Sequence, residues 1–143
     1  METEHHRQKT PWHLWVVGIV AFLWYAMGAA TIQLAQLAML PGLDAGEIAY
    51  YAAKPVWLVA VTAIGTYGSV LGSVLLLLRR RAADVVFGLS LAGVLAGNIV
   101  EFLNGTSRAF ANDGAALVTL IVAVGALAVW CYAYAMVRAG VLR

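Results

Sequence analysis

Four apolar blocks, each long enough to cross a lipid bilayer, constrain this chain more than any other feature. They run over 12–40, 55–78, 83–103 and 115–137, and charged or helix-breaking residues separate them. A transmembrane helix takes about 20 mostly apolar residues. Inside lipid the backbone finds no water to bond. An open strand is therefore excluded, and a barrel would show short alternating segments in place of continuous runs. The expected fold is all-α: a four-transmembrane-helix bundle, with residues 1–11 as a tail and 12–143 as a single membrane domain. Composition agrees, since 63% of residues are hydrophobic and 11% charged, whereas a soluble domain is about 25% charged.

The block ends carry ordinary helix signals. Pro11 suits a first-turn position, and Pro41-Gly42 is the expected stop for the first helix. Arg79, Arg80 and Arg81 follow the second span, where cations complement the dipole; Asp84 falls in the first turn of the third, where an anion does. Asn112 or Asp113 is placed to cap the fourth. A helix over 12–40 would be about 43 Å long at 1.5 Å per residue, more than the roughly 30 Å hydrocarbon core. It must tilt, or its end carrying Gln33 and Gln36 must emerge. Between the first two spans lies "LDAGEIAYYAAKP". Asp44 and Glu47 have capping-box spacing, and Leu43 and Ile48 occupy the staple positions. A short interfacial helix is predicted over Ala45–Ala53, ended by Pro55 and weakened by Gly46. A cleaved signal peptide is the other reading of the first block, but the apolar run is too long and no clean A-x-A site ends it.

Charge sets the expected orientation. Arg7, Lys9, Arg79, Arg80, Arg81, Arg138 and Arg143 fall on one side of a four-span chain, and Lys54 and Arg108 on the other. The positive-inside rule puts both termini in the cytoplasm. The Ala/Val/Gly/Arg-rich character suits a multi-pass protein of a bacterial inner membrane. In that setting the Asn104-Gly105-Thr106 sequon is a chance match. The net charge of +2 is read as topology signal, so no nucleic-acid partner is expected. One cysteine, Cys131, excludes an intramolecular disulfide, and no Cys/His spacing suggests zinc.

Gly68 and Gly72, Ser69 and Ser73, and Gly93 and Gly97 share the small-xxx-small spacing that lets helix backbones approach closely in lipid. Packing within the bundle is favoured over a dimer seam. Trp12, Trp15 and Trp57 suit an aromatic belt, Trp24 and Trp130 suit interior packing, and His13 suits a solvated belt position.

One ionisable group stands at the edge of an apolar block. Ser90, Gly93, Gly97, Glu101 and Asn104 share a stripe of the third helix, and its glycines argue that the stripe faces other helices. Glu101 then reads either as a water-exposed boundary carboxylate or as a site residue in the outer vestibule, with Lys54, Arg108, Gln33 and Gln36 as partners. The candidate substrate-binding set is Glu101, Asn98, Gln33, Gln36, Lys54 and Arg108. No catalytic residue, metal or cofactor is expected. Nucleophile-elbow, Walker, dinucleotide, H-E-x-x-H and C-x-x-C patterns are missing, as is the histidine pairing of a haem bundle.

"PWHLW" at Pro11–Trp15 is followed by Gly18, Leu23-Trp24 and Met27-Gly28. Then come Gly65, Gly68, Leu71-Gly72-Ser73, Arg79-Arg80-Arg81 and Ser90-Leu91. Over roughly the first two-thirds of the chain this resembles a group of small bacterial four-helix membrane proteins, mostly uncharacterised, some labelled sugar transporter. The resemblance implies an inner-membrane location, four helices and transport of a small solute. The group's pattern has an asparagine after the Leu-Trp and an aspartate after the Met-Gly. Here Tyr25 and Ala29-Ala30-Thr31 stand there, so chemistry resting on that aspartate does not carry over. Two functions stay open. One is a small-solute transporter working as a homodimer or larger homo-oligomer, since four helices make a narrow pathway. The other is a non-transporting accessory or structural protein that binds a partner protein or membrane lipid. A membrane enzyme ranks behind both.

Overall fold

A computed structural model describes residues 11–105, 107 and 113–142. Among these the chain is helical, without strands: α1 (Trp12–Gln36), α2 (Ala45–Ala53), α3 (Val56–Leu77), α4 (Ala82–Leu103) and α5 (Asp113–Arg138). Four of the helices, all but α2, are long and apolar enough to cross a membrane, which fits a multi-pass membrane protein. Large apolar side chains cover the outside, including Val20, Leu23, Leu89, Ile99, Leu120 and Val124. In water such a surface would aggregate; in lipid it is the solvated face.

The α1 N-terminus, the α3–α4 turn with Arg79–Arg81 and the α5 C-terminus meet at one end of the bundle. Leu14, Tyr25, Leu76, Phe87 and Ala133 form the apolar core there, together with Val141 and Leu142, which fold back after α5. His13 on α1 bonds the Tyr132 hydroxyl on α5 at 2.5 Å, so the histidine predicted as a solvated belt residue ties two helices together. Trp12, Trp15 and Trp57 are exposed as a belt requires, while Trp24, expected inside, is 46% exposed and turns outward.

α1 stops before its expected end. Leu37 closes the helix, Ala38 takes φ +54°, and the Ala38 and Met39 amides donate to the Ala35 and Leu34 carbonyls. That is a Schellman ending, usually built on glycine. The last turn is thereby satisfied before Pro41 is reached, and a helix of this length is about 37 Å at 1.5 Å per residue. Arg79 repeats the device after α3, with φ +58° and bonds from the Arg79 and Arg80 amides to the Leu76 and Leu75 carbonyls. The chain reverses sharply there, and the Arg79 guanidinium donates to the Val141 carbonyl at 3.4 Å.

α2 forms where predicted. The Glu47 amide donates to Asp44 Oδ1 at 2.7 Å, and the Asp44 amide to Glu47 Oε2 at 3.1 Å. Asp44→Ala removes half of this box and is expected to reduce local helix stability by about 0.5–2 kcal/mol. Faster hydrogen exchange confined to 45–53 checks it; unchanged exchange there would show that α2 is held by its contacts and not by its cap.

The α3–α4 seam uses the small residues. A Cβ on Gly65 would lie 2.9 Å from the Val94 amide nitrogen, one on Gly93 would lie 3.2 Å from the Gly65 nitrogen, and one on Gly72 would meet the Phe87 ring at 2.9 Å. Ser69 and Ser90 hydroxyls meet at 2.5 Å across the seam, and the Ser90 hydroxyl also donates to the Gly65 carbonyl. The glycine spacing is therefore spent within the chain.

Candidate functional site

Glu101 lies in the last turn of α4, which ends at Leu103, on the same stripe as Ser90 and Gly97, which are buried against α3. Continuing that stripe carries the carboxylate past the start of α3 to the segment that joins α2 to it. Lys54 closes α2, and Pro55 then begins the cap of α3. The two side chains meet with Lys54 Nζ 2.6 Å from Glu101 Oε1, and they are only 8% and 12% exposed. Tyr50, one turn before Lys54, donates its hydroxyl to Glu101 Oε2 at 2.7 Å. Both carboxylate oxygens are engaged, one by an ammonium and one by a phenol.

The cation has a second environment. Lys54 Nζ lies 5.2 Å from the Tyr50 ring centroid and 5.9 Å from that of Tyr51, within the range where a ring face attracts an ammonium. The two rings stand edge to face with centroids 5.2 Å apart. α2 thus contributes two aromatic faces, its C-terminal junction the cation, and α4 the anion. The α2–α4 link consists of side chains that converge from positions about fifty residues apart.

Gln33 and Gln36 belong to a different feature. They line a cleft of about 260 Å³ between α1 and α3, with Ala29, Ile32, Val59, Ala63, Thr66 and Tyr67. The Tyr67 hydroxyl donates to Gln33 Oε1 at 2.7 Å. Gln33 is exposed and Tyr67 48% exposed, so this pair sits on the outward surface of the bundle. Asn98 turns back on its own helix and donates to the Val94 carbonyl at 2.8 Å. Of the six candidates, the structure pairs Lys54 with Glu101 and places Gln33 and Gln36 along one cleft. The cleft lining includes neither Lys54, Asn98 nor Glu101. Arg108 lies outside the described residues.

Tyr50 and Tyr51 were missed by the sequence reading, although a signal existed. Tyr50 is four residues before Lys54, which puts both on one face of α2. Among the described residues no three His, Cys, Asp or Glu side chains gather as metal ligands would.

No family model, no curated protein and no solved structure matches the chain.

Proposed function

We propose that this protein is a small-solute transporter of a bacterial inner membrane that works as a homo-oligomer, with the Lys54–Glu101–Tyr50 cluster as its outer binding site. The observation that carries the reading is the ion pair itself. Two opposite charges, almost fully shielded, are held by α2 over one end of an apolar bundle. Ionisable groups in such surroundings are expensive and are usually kept for binding or transport. The PWHLW resemblance supports the same reading. The outward-facing Gln33–Tyr67 pair supports an oligomer: polar side chains facing lipid are poorly solvated, and a second copy along α1 and α3 would cover them.

In this reading the Arg79–Arg81 end is cytoplasmic and the α2 end external. Reporter fusions after Arg81 and after Arg143 both read cytoplasmic; an external signal from either overturns the orientation. The function is tested by uptake of a panel of sugars and amines into proteoliposomes. Uptake above empty vesicles, reduced by alanine at Lys54, Glu101 or Tyr50, supports transport. No uptake of any solute sinks it.

The accessory reading draws on the same α1–α3 cleft. If a partner helix or lipid occupies it, purification from native membranes yields that partner in fixed ratio and uptake fails.

A further inference from the structure

We infer that the cluster under α2 is a receptor for a small organic ammonium, and that Lys54 occupies it as a tethered stand-in for that ligand. This rests on the proposed binding role of the cluster and names the chemical class of its ligand.

Among the described residues, three groups surround the position of Nζ. Glu101 Oε1 is 2.6 Å away, and the Tyr50 and Tyr51 rings are 5.2 Å and 5.9 Å away at their centroids. A carboxylate with two aromatic faces is the chemistry that selects an alkylammonium: the anion takes the charge and the N–H donors, and the ring quadrupoles take the cation and its adjoining methylenes. Tyr50 serves twice, since its hydroxyl also holds Glu101 Oε2 at 2.7 Å and so fixes the plane of the carboxylate. An uncharged sugar can stack on a ring face but brings no charge to replace the ammonium beside Glu101, and an anionic solute would meet the carboxylate.

Lys54 is suited to leave. Its ammonium hangs on a flexible four-carbon stem, and its backbone lies at the junction of α2 and α3, outside both helices. An incoming ammonium replaces one cation by another of the same charge, so the charge beside Glu101 is unchanged by the exchange. The surrounding sequence favours cations as well. Asp44 and Glu47 at the start of α2 and Glu101 near the end of α4 stand against Lys54 among the described residues. A mildly acidic rim raises the local concentration of positive solutes.

The test is chemical rescue of the purified full-length protein. Lys54→Ala removes the three outer methylenes and the ammonium, which together correspond to n-propylammonium. Thermal unfolding in detergent is followed while n-propylammonium chloride is titrated against potassium chloride at equal ionic strength. The expected result is a saturable rise in Tm, the folded population growing about 100-fold relative to the unfolded at a ligand concentration of 100 Kd. The rise should be absent in Lys54→Ala combined with Glu101→Gln. No rise beyond the potassium control, or an equal rise in the double variant, overturns the inference. If Lys54→Ala does not fold, the wild type serves: its lysines are reductively methylated with ¹³C, and the Lys54 methyl signal should move saturably toward its solvent position as n-propylammonium is added. A signal that stays in place overturns the inference. Failure here alongside measurable sugar uptake removes the ammonium and leaves transport standing; rescue without uptake of any solute keeps the receptor and removes transport.

Discussion

On the proposed transport reading, Glu101→Gln is expected to leave the bundle folded and to reduce solute uptake by about tenfold, the factor that about 1.4 kcal/mol corresponds to, whereas Glu101→Ala loses uptake and stability together. The difference follows from how the carboxylate is used. One oxygen faces the Lys54 ammonium at 2.6 Å and the other accepts from Tyr50 at 2.7 Å. Glutamine keeps the shape and one acceptor but removes the charge. A hydrogen bond to a charged group is worth about 1.5–3 kcal/mol and a neutral one about 0.5–1.5, so the weakened site still closes while binding of the proposed cationic solute fades. Alanine removes every bond the side chain makes and leaves the lysine shielded from water. Breaking a buried pair in this way costs about 3 kcal/mol. Uptake assays and thermal unfolding of both variants, run side by side, decide the matter. If both variants match the wild type in both measurements, the carboxylate is only a boundary marker.

The second large effect concerns the α3–α4 seam. Gly65→Val is expected to destabilise the bundle by about 3 kcal/mol, the upper range for inserting volume into a packed contact. The first atom a Cβ would meet is Val94 Cγ2 at 2.8 Å, which a rotamer change can clear. The second is the Val94 amide nitrogen at 2.9 Å, which belongs to the α4 backbone and moves only if the helix moves. Pushing α4 away also breaks the bond from the Ser90 hydroxyl to the Gly65 carbonyl. Gly28→Ala is the control of opposite sign. Nothing lies within 4 Å of a Cβ there, so alanine should gain about 0.5–1 kcal/mol of helix stability. Thermal unfolding in one detergent compares the two. A Gly65→Val protein as stable as wild type would mean that α3 and α4 do not rely on close backbone approach.

Local pattern decided what could be read from the residues alone. The four long helices follow from runs of apolar residues, because in lipid a helix satisfies its own backbone whatever its neighbours do. α2 follows from Asp44 and Glu47, whose reciprocal bonds span only three residues. The small-xxx-small spacing on α3 and α4 marked faces for close packing, and Glu101 stood out as a charge continuing such a face. Tertiary structure decided the rest. Whether the glycines pack within the chain or between copies depends on which helix faces them, and spacing carries no such information. Nor does spacing reveal that Gln33 bonds Tyr67 and not Glu101, since that depends on how α1 lies along α3. The end of α1 at Ala38 was hidden because alanine carries no left-handed signature; Pro41-Gly42 was the stronger signal and stood too late. Among the described residues, Lys54 and Tyr50 reach Glu101 from α2 and its junction, far away along the chain. Only the docking of that short helix over the end of α4 brings an ammonium and two tyrosine rings to one carboxylate.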